Sequence, residues 1–285
     1  MRRLTFPLLT LLLLGCPVEG DDDAAEPPHP HPSVEGLALP MVVGHGGAKH
    51  LCAANTLECF EHALSVGAVA LEADLQVLGD GTLVMFHDGN TAEQCGEDHD
   101  LAELTLAQFQ QLDAGWGFSP DGGETYPLRG QGLVAPTFAA FLDQVRDVPV
   151  LLDVKTGEPP MNDAIRAFVS DDLPEQARTR VYFKVKSQSL AEELRALEPA
   201  PFVAFTTGER ALLLVDADSV DLPPSWIDLN PPELQADLVT WAHEHDHLFT
   251  ASTINETDEM SSLLEDHDLD GIVTDRPDLL AALLP

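Results

Sequence analysis

The sequence predicts an α/β fold: a (β/α)8 TIM barrel, built as a single domain over residues 39–285 with one insertion after the third strand. Three observations lead there. Short apolar runs alternate with amphipathic helical stretches over roughly 250 residues, the usual length of one such barrel. Polar residues fall at the ends of those runs, where a parallel barrel carries its chemistry. No Gly-rich loop of dinucleotide-binding spacing follows the first run, because GHGG (44–47) lacks it, and this disfavours a doubly wound open sheet.

MVVG (41–44) is the first strand, and a helix is predicted from Asn55 to Val66. AVALEADL (68–75) leads through a Gly-Asp-Gly turn to TLVMFHD (82–88). The insertion runs from Gly89 to Ala135, with a predicted helix over 105–114 and a Gly-rich stretch, GWGFSPDGGETYPLRGQG (115–132). Structured loops of this length on a barrel shape access to the site. VPVLLDVK (148–155) is nearly continuous in apolar residues, as buried parallel strands are. VYFKV (181–185), PFVAF (201–205), HLFTAS (247–252) and GIVT (271–274) complete eight strands. SWIDL (225–229) is a further candidate, one more than the barrel has places for. Helical patterns occupy 137–146, 161–170, 189–197, 232–245 and 257–265, and a last helix starts at Pro277, a favoured first-turn position.

Residues 1–16 read as a lipoprotein signal peptide: Arg2 and Arg3, an apolar run from Leu4 to Leu14, then Gly15-Cys16. The run is too short for a mature membrane span. LLGC resembles the lipobox of bacterial lipoproteins, so Cys16 is the expected lipidation site, with an ordinary cleaved leader as the alternative. Residues 17–38, rich in Asp, Pro and His, read as a disordered tether. The expectation is an exported bacterial lipoprotein, anchored to the cell envelope through Cys16. Loss of residues 1–16 removes two Arg and no acids, leaving 12 basic against 49 acidic residues, a net −37. Such a surface disfavours nucleic acid as a partner, and it repels anionic substrates unless a bound cation offsets it locally.

Three cysteines remain in an oxidising setting. Cys59 shares an apolar helix side with Leu57, Phe60 and Leu64 and is expected in the core. Cys52 and Cys95 fall in two loops on one predicted face; they are expected to pair, with two free thiols as the alternative.

Glu72 and Asp74, two apart on one strand, share a face, and Leu71, Ala73 and Leu75 take the other. Carboxylates pointing into a barrel are costly without compensation, and a hard cation supplies it. Asp153 and Lys155 repeat the spacing on VLLDVK: Asp153 is a candidate third oxygen ligand, and Lys155 would neutralise the cluster or hold a phosphate. A structural Lys–carboxylate network is the alternative for these four residues taken alone. His45 and His87 each end a strand and are candidates for a general acid and base. Singly, each also suits a structural role. Asn55, with Glu58 three residues on, is a candidate N-cap and, at the mouth of the predicted site, a candidate substrate-binding residue.

Together these residues resemble the glycerophosphodiester phosphodiesterase family, of the phospholipase C-like phosphodiesterase superfamily. Its run His-Arg-Gly, Glu-Asn-Thr, Glu-x-Asp, Asp-Gly, His-Asp fits His45 to Asp88 without a gap. LTLAQFQQLDAG (104–115), the acidic-x-Lys strand at Asp153–Lys155 and DGIVTDRPD (270–278) match as well. The resemblance implies His45 and His87 as the acid/base pair. It implies Glu72, Asp74 and Asp153 as ligands of a divalent cation, Mg2+ or Ca2+, and Lys155 as a phosphate contact. The implied reaction is metal-dependent hydrolysis of glycerophosphodiesters to sn-glycerol 3-phosphate and an alcohol, in lipid metabolism. Four positions depart from the pattern: Gly46 stands for Arg, Ala54 for Glu, Asp153 for Glu and Ser252 for Trp. The lost Arg removes a bidentate phosphate contact. Arg129, in YPLRGQG, is the candidate replacement, with a surface role in the insertion as its alternative.

Two other functions fit parts of the pattern. Sphingomyelinase D-like phospholipases also lack the Arg and use Asp-x-Lys, cleaving a choline headgroup from a lysophospholipid. A lipid-anchored binding protein on a catalytically impaired barrel would fit Gly46, Ala54 and Ser252.

Overall fold

The computed structural model describes residues 34, 36–156, 159–185, 188–196, 202–206, 225–234 and 236–285. The leader with Cys16, and the tether up to residue 33, lie outside them. In chain order the strands are β1 (Met41–His45), β2 (Ala70–Val77), β3 (Leu83–Met85), β4 (Val150–Val154), β5 (Val181–Val185), β6 (Phe202–Thr206), β7 (Trp226–Leu229), β8 (Leu248–Ala251) and β9 (Gly271–Thr274). The α-helices of the described residues are α1 (Leu57–Ser65), α2 (Ala92–Cys95), α3 (Leu106–Phe109), α4 (Phe138–Gln144), α5 (Met161–Asp171), α6 (Gln188–Arg195), α7 (Ala236–Glu244), α8 (Thr257–Asp266) and α9 (Pro277–Leu283).

All strands but β3 are parallel, and β1 pairs with both β2 and β9, closing an eight-stranded barrel in the order β1-β2-β4-β5-β6-β7-β8-β9. The surplus strand is thereby identified. SWIDL is a barrel strand, β7, and TLVMFHD is not: β3 lies antiparallel on β2, with Val77 opposite Leu83. The reason is chain length. A parallel partner needs a crossover of about a dozen residues. Only Leu78–Thr82 separates β2 from β3, and Leu78 N donates to Thr82 O at 2.9 Å.

Period-2 alternation sets the interior. Val43, Ala70, Leu151, Tyr182, Trp226 and Val273 form an apolar plug inside the barrel, with the Tyr182 and Trp226 rings edge to face at 5.5 Å. Two residues further along the same strands stand His45, Glu72, Asp153, Lys184, Asp228 and Asp275. An apolar floor thus lies under a charged layer at the C-terminal ends of the strands. The opposite strand faces pack against the helices, where Phe60 of α1 meets Phe141 of α4 at 4.5 Å between centroids. Truncating either ring to Ala costs about 3–5 kcal/mol.

The insertion has its own core, with Phe86 edge-on to Phe109 at 5.4 Å and Leu101, Leu112 and Cys95 around them. The predicted helix over 105–114 is one turn, α3, closed by a capping box between Thr105 and Gln108. The chain then turns, and Ala114 N donates to Leu133 O.

The cysteine pairing corrects the expectation. Cys52 is bonded to Cys59, with Cα atoms 5.4 Å apart, and Cys95 is a buried free thiol. The turn after β1 folds back onto the first turn of α1 and brings Cys52 beside Cys59. Gly47 makes that approach possible: its φ is 91°, and a Cβ there would lie 2.8 Å from the Cys59 carbonyl. Cys95 instead faces the insertion core, where burial pushes its thiol up to about 12. No helix among the described residues is long and apolar enough to cross a membrane.

Candidate active site

Glu72, Asp74 and Asp153 converge at the C-terminal mouth of the barrel, each buried and each offering an oxygen within 4.8 Å of the others. Parallel pairing puts Asp74 directly beside Asp153. Burial and the adjacent Asp74 charge push Glu72 up to about 7. Asp74 goes the other way: burial opposes its ionisation, but Lys155 and His87 outweigh it and hold the carboxyl below its usual range. Lys155 Nζ lies 2.5 Å from Asp74 Oδ1 and 2.8 Å from Asp153 Oδ2. Burial of that ammonium is outweighed by Asp74 and Asp153, and its pKa is raised.

A second lysine, Lys184, sits beneath. It bonds Asp228 Oδ2 at 2.6 Å, and Asp228, Glu72 and Asp153 together outweigh its burial and raise its pKa. Asp228 also accepts from Thr250 and from Ser252, whose hydroxyl is 2.8 Å from Oδ2. This layer was not singled out from the sequence, although Lys184 and Asp228 occupy the inward parity of their strands and were findable by it.

The residues suit a divalent cation. Three carboxylates whose oxygens lie within 4.8 Å of one another offer the hard donors that Mg2+ and Ca2+ take. Four buried carboxyl groups (Glu72, Asp74, Asp153, Asp228) face two ammonium groups (Lys155, Lys184), an excess of acidic groups that suits a cation.

The histidines flank this centre. His45 Nε2 is 3.7 Å from Glu72 Oε2, and its Nδ1 is 2.5 Å from Asp275 Oδ1. Burial would lower the His45 pKa, but Glu72 and Asp275 outweigh it and raise it. His87 Nδ1 is 2.6 Å from Asp88 Oδ1. Each ring therefore has Nδ1 held by a carboxylate and Nε2 left for proton transfer. Asp275 was not singled out, though it follows β9 at the rim where barrel sites form.

Asn55 is not the helix N-cap. Thr56 is, its hydroxyl accepting from Cys59 N, while Asn55 is fully buried with φ 58° and grips Asp74. Its Nδ2 donates to Asp74 Oδ2 at 2.6 Å, and its Oδ1 accepts from Asp74 N at 3.0 Å. Asn255 holds Asp275 in the same two-ended way, at 2.7 and 2.9 Å.

A cavity of about 320 Å³ opens over His45, Asp74 and His87. This lies at the small end of ligand sites, about 300–1,000 Å³. The insertion supplies its far wall through Glu93, Gln94, Ala114, Gly117, Phe118 and Ser119, and Gln94 Nε2 donates to Ala54 O at 2.9 Å. Gly46 N donates to Glu72 Oε2 at 3.2 Å. A Cβ at Gly46 would lie 3.2 Å from the Ala54 Cβ, so two departures from the family pattern, a lost Arg and a lost Glu, meet on one wall of the cavity. Arg129 is not brought to the cavity lining. It is exposed, its guanidinium lies over the Trp116 and Tyr126 rings, and its Nε donates to Trp116 O.

The chain matches the sequence model of the glycerophosphoryl diester phosphodiesterase family over residues 45–279. It is 25% identical over 252 residues to a glycerophosphodiester phosphodiesterase of Bacillus subtilis, covering 84% of each chain. An uncharacterized Mycobacterium tuberculosis protein is 28% identical over 121 residues, 42% of this chain and 40% of that one, so the match spans well under half of that relative. Among solved structures, the glycerophosphoryl diester phosphodiesterase domain of an uncharacterized M. tuberculosis protein superposes with a TM-score of 0.74 at 19% identity, over 86% of this chain and 99% of the other. An Oleispira antarctica phosphodiesterase, solved in complex with the product sn-glycerol-3-phosphate, superposes with a TM-score of 0.67 at 20% identity, over 86% and 96%.

Proposed function

The chain belongs to the glycerophosphoryl diester phosphodiesterase family, and from that membership we propose that it hydrolyses glycerophosphodiesters to sn-glycerol 3-phosphate and an alcohol. The observation that carries the reading is the convergence of Glu72, Asp74 and Asp153 between two carboxylate-bound histidines. The carboxylates would hold Mg2+ or Ca2+, which polarises a phosphodiester oxygen and offsets developing charge. One histidine Nε2 takes a proton from the attacking hydroxyl or water as its oxygen bonds to phosphorus. The other gives a proton to the alcohol oxygen as the phosphorus–oxygen bond to it breaks. Lys155 and Lys184 hold the acidic layer together. The O. antarctica complex supports the product assignment.

A place in lipid metabolism follows from the substrate class. The Cys52–Cys59 disulfide supports an exported protein, since such bonds persist in oxidising compartments. Lipidation at Cys16 would then hold the barrel at the cell envelope on its tether.

The test is phosphorus NMR of glycerophosphocholine with the purified protein, in Mg2+, in Ca2+ and in excess chelator. The expected product is sn-glycerol 3-phosphate, absent with chelator and with Asp153→Asn. Absence of turnover in either cation, or turnover indifferent to His45→Ala, would overturn the reading. Neither alternative is favoured by the family match. The same assay on lysophosphatidylcholine checks the sphingomyelinase D-like one, whose mark would be a cyclic phosphate product.

A further inference from the structure

We propose that Lys49 is the phosphate-binding cation of this site, standing in for the Arg that Gly46 replaces. The inference rests on the phosphodiesterase reading and deepens it. Lys49 follows His45 by four residues in the turn after β1, and its backbone N donates to His45 O at 3.3 Å. Lys49 is exposed and is one of the residues lining the cavity with His45, Asp74 and His87.

The other cations near the site are committed elsewhere. Lys155 is held between Asp74 and Asp153, Lys184 is held by Asp228, and Arg129 lies over two aromatic rings. Lys49 is different: among the described residues, no carboxylate lies within ion-pair distance of its ammonium. That is notable in a chain with 49 acidic and 14 basic residues. Among the described residues lining the cavity it is the one Lys or Arg, beside Asp74, Asp88 and Glu93. Burial opposes ionisation of the nearby Asp275 carboxyl, and the hydrogen bonds from His45 and Asn255, with a smaller share from the Lys49 charge, outweigh it and hold that carboxyl below its usual range.

A phosphodiester carries one negative charge. Apart from a cation held by the acidic triad, the cavity without Lys49 would present it with carboxylates and two histidines. An ammonium gives a single charged donor where a guanidinium gives a planar pair. Beside the cation, the side-chain share of phosphate affinity should therefore depend on one contact, and either cationic side chain at position 49 should supply it.

Calorimetric titration with sn-glycerol 3-phosphate, on the full chain in Ca2+, tests this. Lys49 is exposed, so Lys49→Met is expected to fold. It should lower affinity by at least about tenfold, the size of one charge-assisted hydrogen bond. Lys49→Arg should restore most of it. Lys49→Met should also raise KM for glycerophosphocholine more than it lowers kcat. Arg146→Met is the charge control: it removes an exposed cation that pairs with Asp143, outside the cavity, and should bind as wild type does. Unchanged binding by Lys49→Met, an equal loss in Arg146→Met, or no binding by wild type would overturn the proposal. Turnover by wild type is scored separately. Turnover present with Lys49→Met binding normally sinks only the Lys49 assignment, whereas turnover absent sinks the phosphodiesterase reading.

Discussion

Asn55 grips Asp74 at both ends of its carboxamide, donating to Oδ2 at 2.6 Å and accepting from the Asp74 backbone N at 3.0 Å. The contact joins the turn after β1 to the centre of the acidic triad across 19 residues of sequence. It orients one carboxylate oxygen and leaves the other toward Lys155.

Removing that grip should loosen the cation site without unfolding the barrel. Asn55 has φ 58°, which Gly adopts freely, so Asn55→Gly deletes the carboxamide with little backbone strain. Loss of a group that orients a metal ligand typically costs 10–100-fold in metal affinity. Calorimetry with Ca2+ or Mg2+ should show about that loss. An unchanged affinity would show that Asp74 needs no such support.

Asp275 should matter to turnover through His45. Its carboxylate fixes the ring by Nδ1 at 2.5 Å and is itself clamped by Asn255. Asp275→Asn should lower kcat by less than His45→Ala, for which the usual range of general acid–base contributions is about 10²–10⁴. Steady-state kinetics on glycerophosphocholine measures both, and an Asp275→Asn enzyme with wild-type kcat would remove its positioning role.

The cysteine pairing has a chemical readout. Differential alkylation followed by mass spectrometry should find Cys52 and Cys59 protected until reduction. Cys95 should be alkylated only after denaturation, since it is buried and its thiol is pushed up to about 12. The Cys52→Ser, Cys59→Ser double variant should lose roughly 2 kcal/mol of stability, the loop-entropy value for so short a loop. Denaturant melts check the magnitude. A Cys52–Cys95 peptide would contradict the structure.

At the other end of the barrel, His243 of α7 bonds Asp270 Oδ2 at 3.1 Å, and the same oxygen accepts from Phe249 N. The Asp270 hydrogen bond raises the His243 pKa above its ordinary 6.5, against a smaller opposing effect of burial. A folded pKa above the unfolded one gives stability that is fully present below about 6.5 and fades as pH rises through the folded value. The Tm gap between wild type and His243→Gln should be larger at pH 5.5 than at pH 8.5. A gap that grows with pH would reverse the sign of the linkage.

Much of the charged layer was legible from strand parity alone. Glu72 and Asp74 share a face because side chains alternate along a strand, and Asp153 follows from the same rule on β4. Lys184 and Asp228 obey it equally and could have been read that way. Position in the barrel was less legible. Apolar runs mark TLVMFHD and SWIDL alike, and only the pairing of β3 with β2 and of β7 with β6 and β8 sorts them.

The sequence by itself determined the barrel, the inward parity of the acids and the two histidines at strand ends, because period-2 alternation is a local property of the chain. Tertiary structure alone decided that Cys52 meets Cys59, that Asn55 holds Asp74, that Arg129 lies over Trp116 and Tyr126, and that Lys49 reaches the cavity. Those outcomes depend on how the turn after β1 folds back through left-handed residues at 46, 47 and 55. They depend equally on how the insertion packs over the barrel mouth. Neither a turn's path nor a long-range contact has a repeat along the chain from which it could be read.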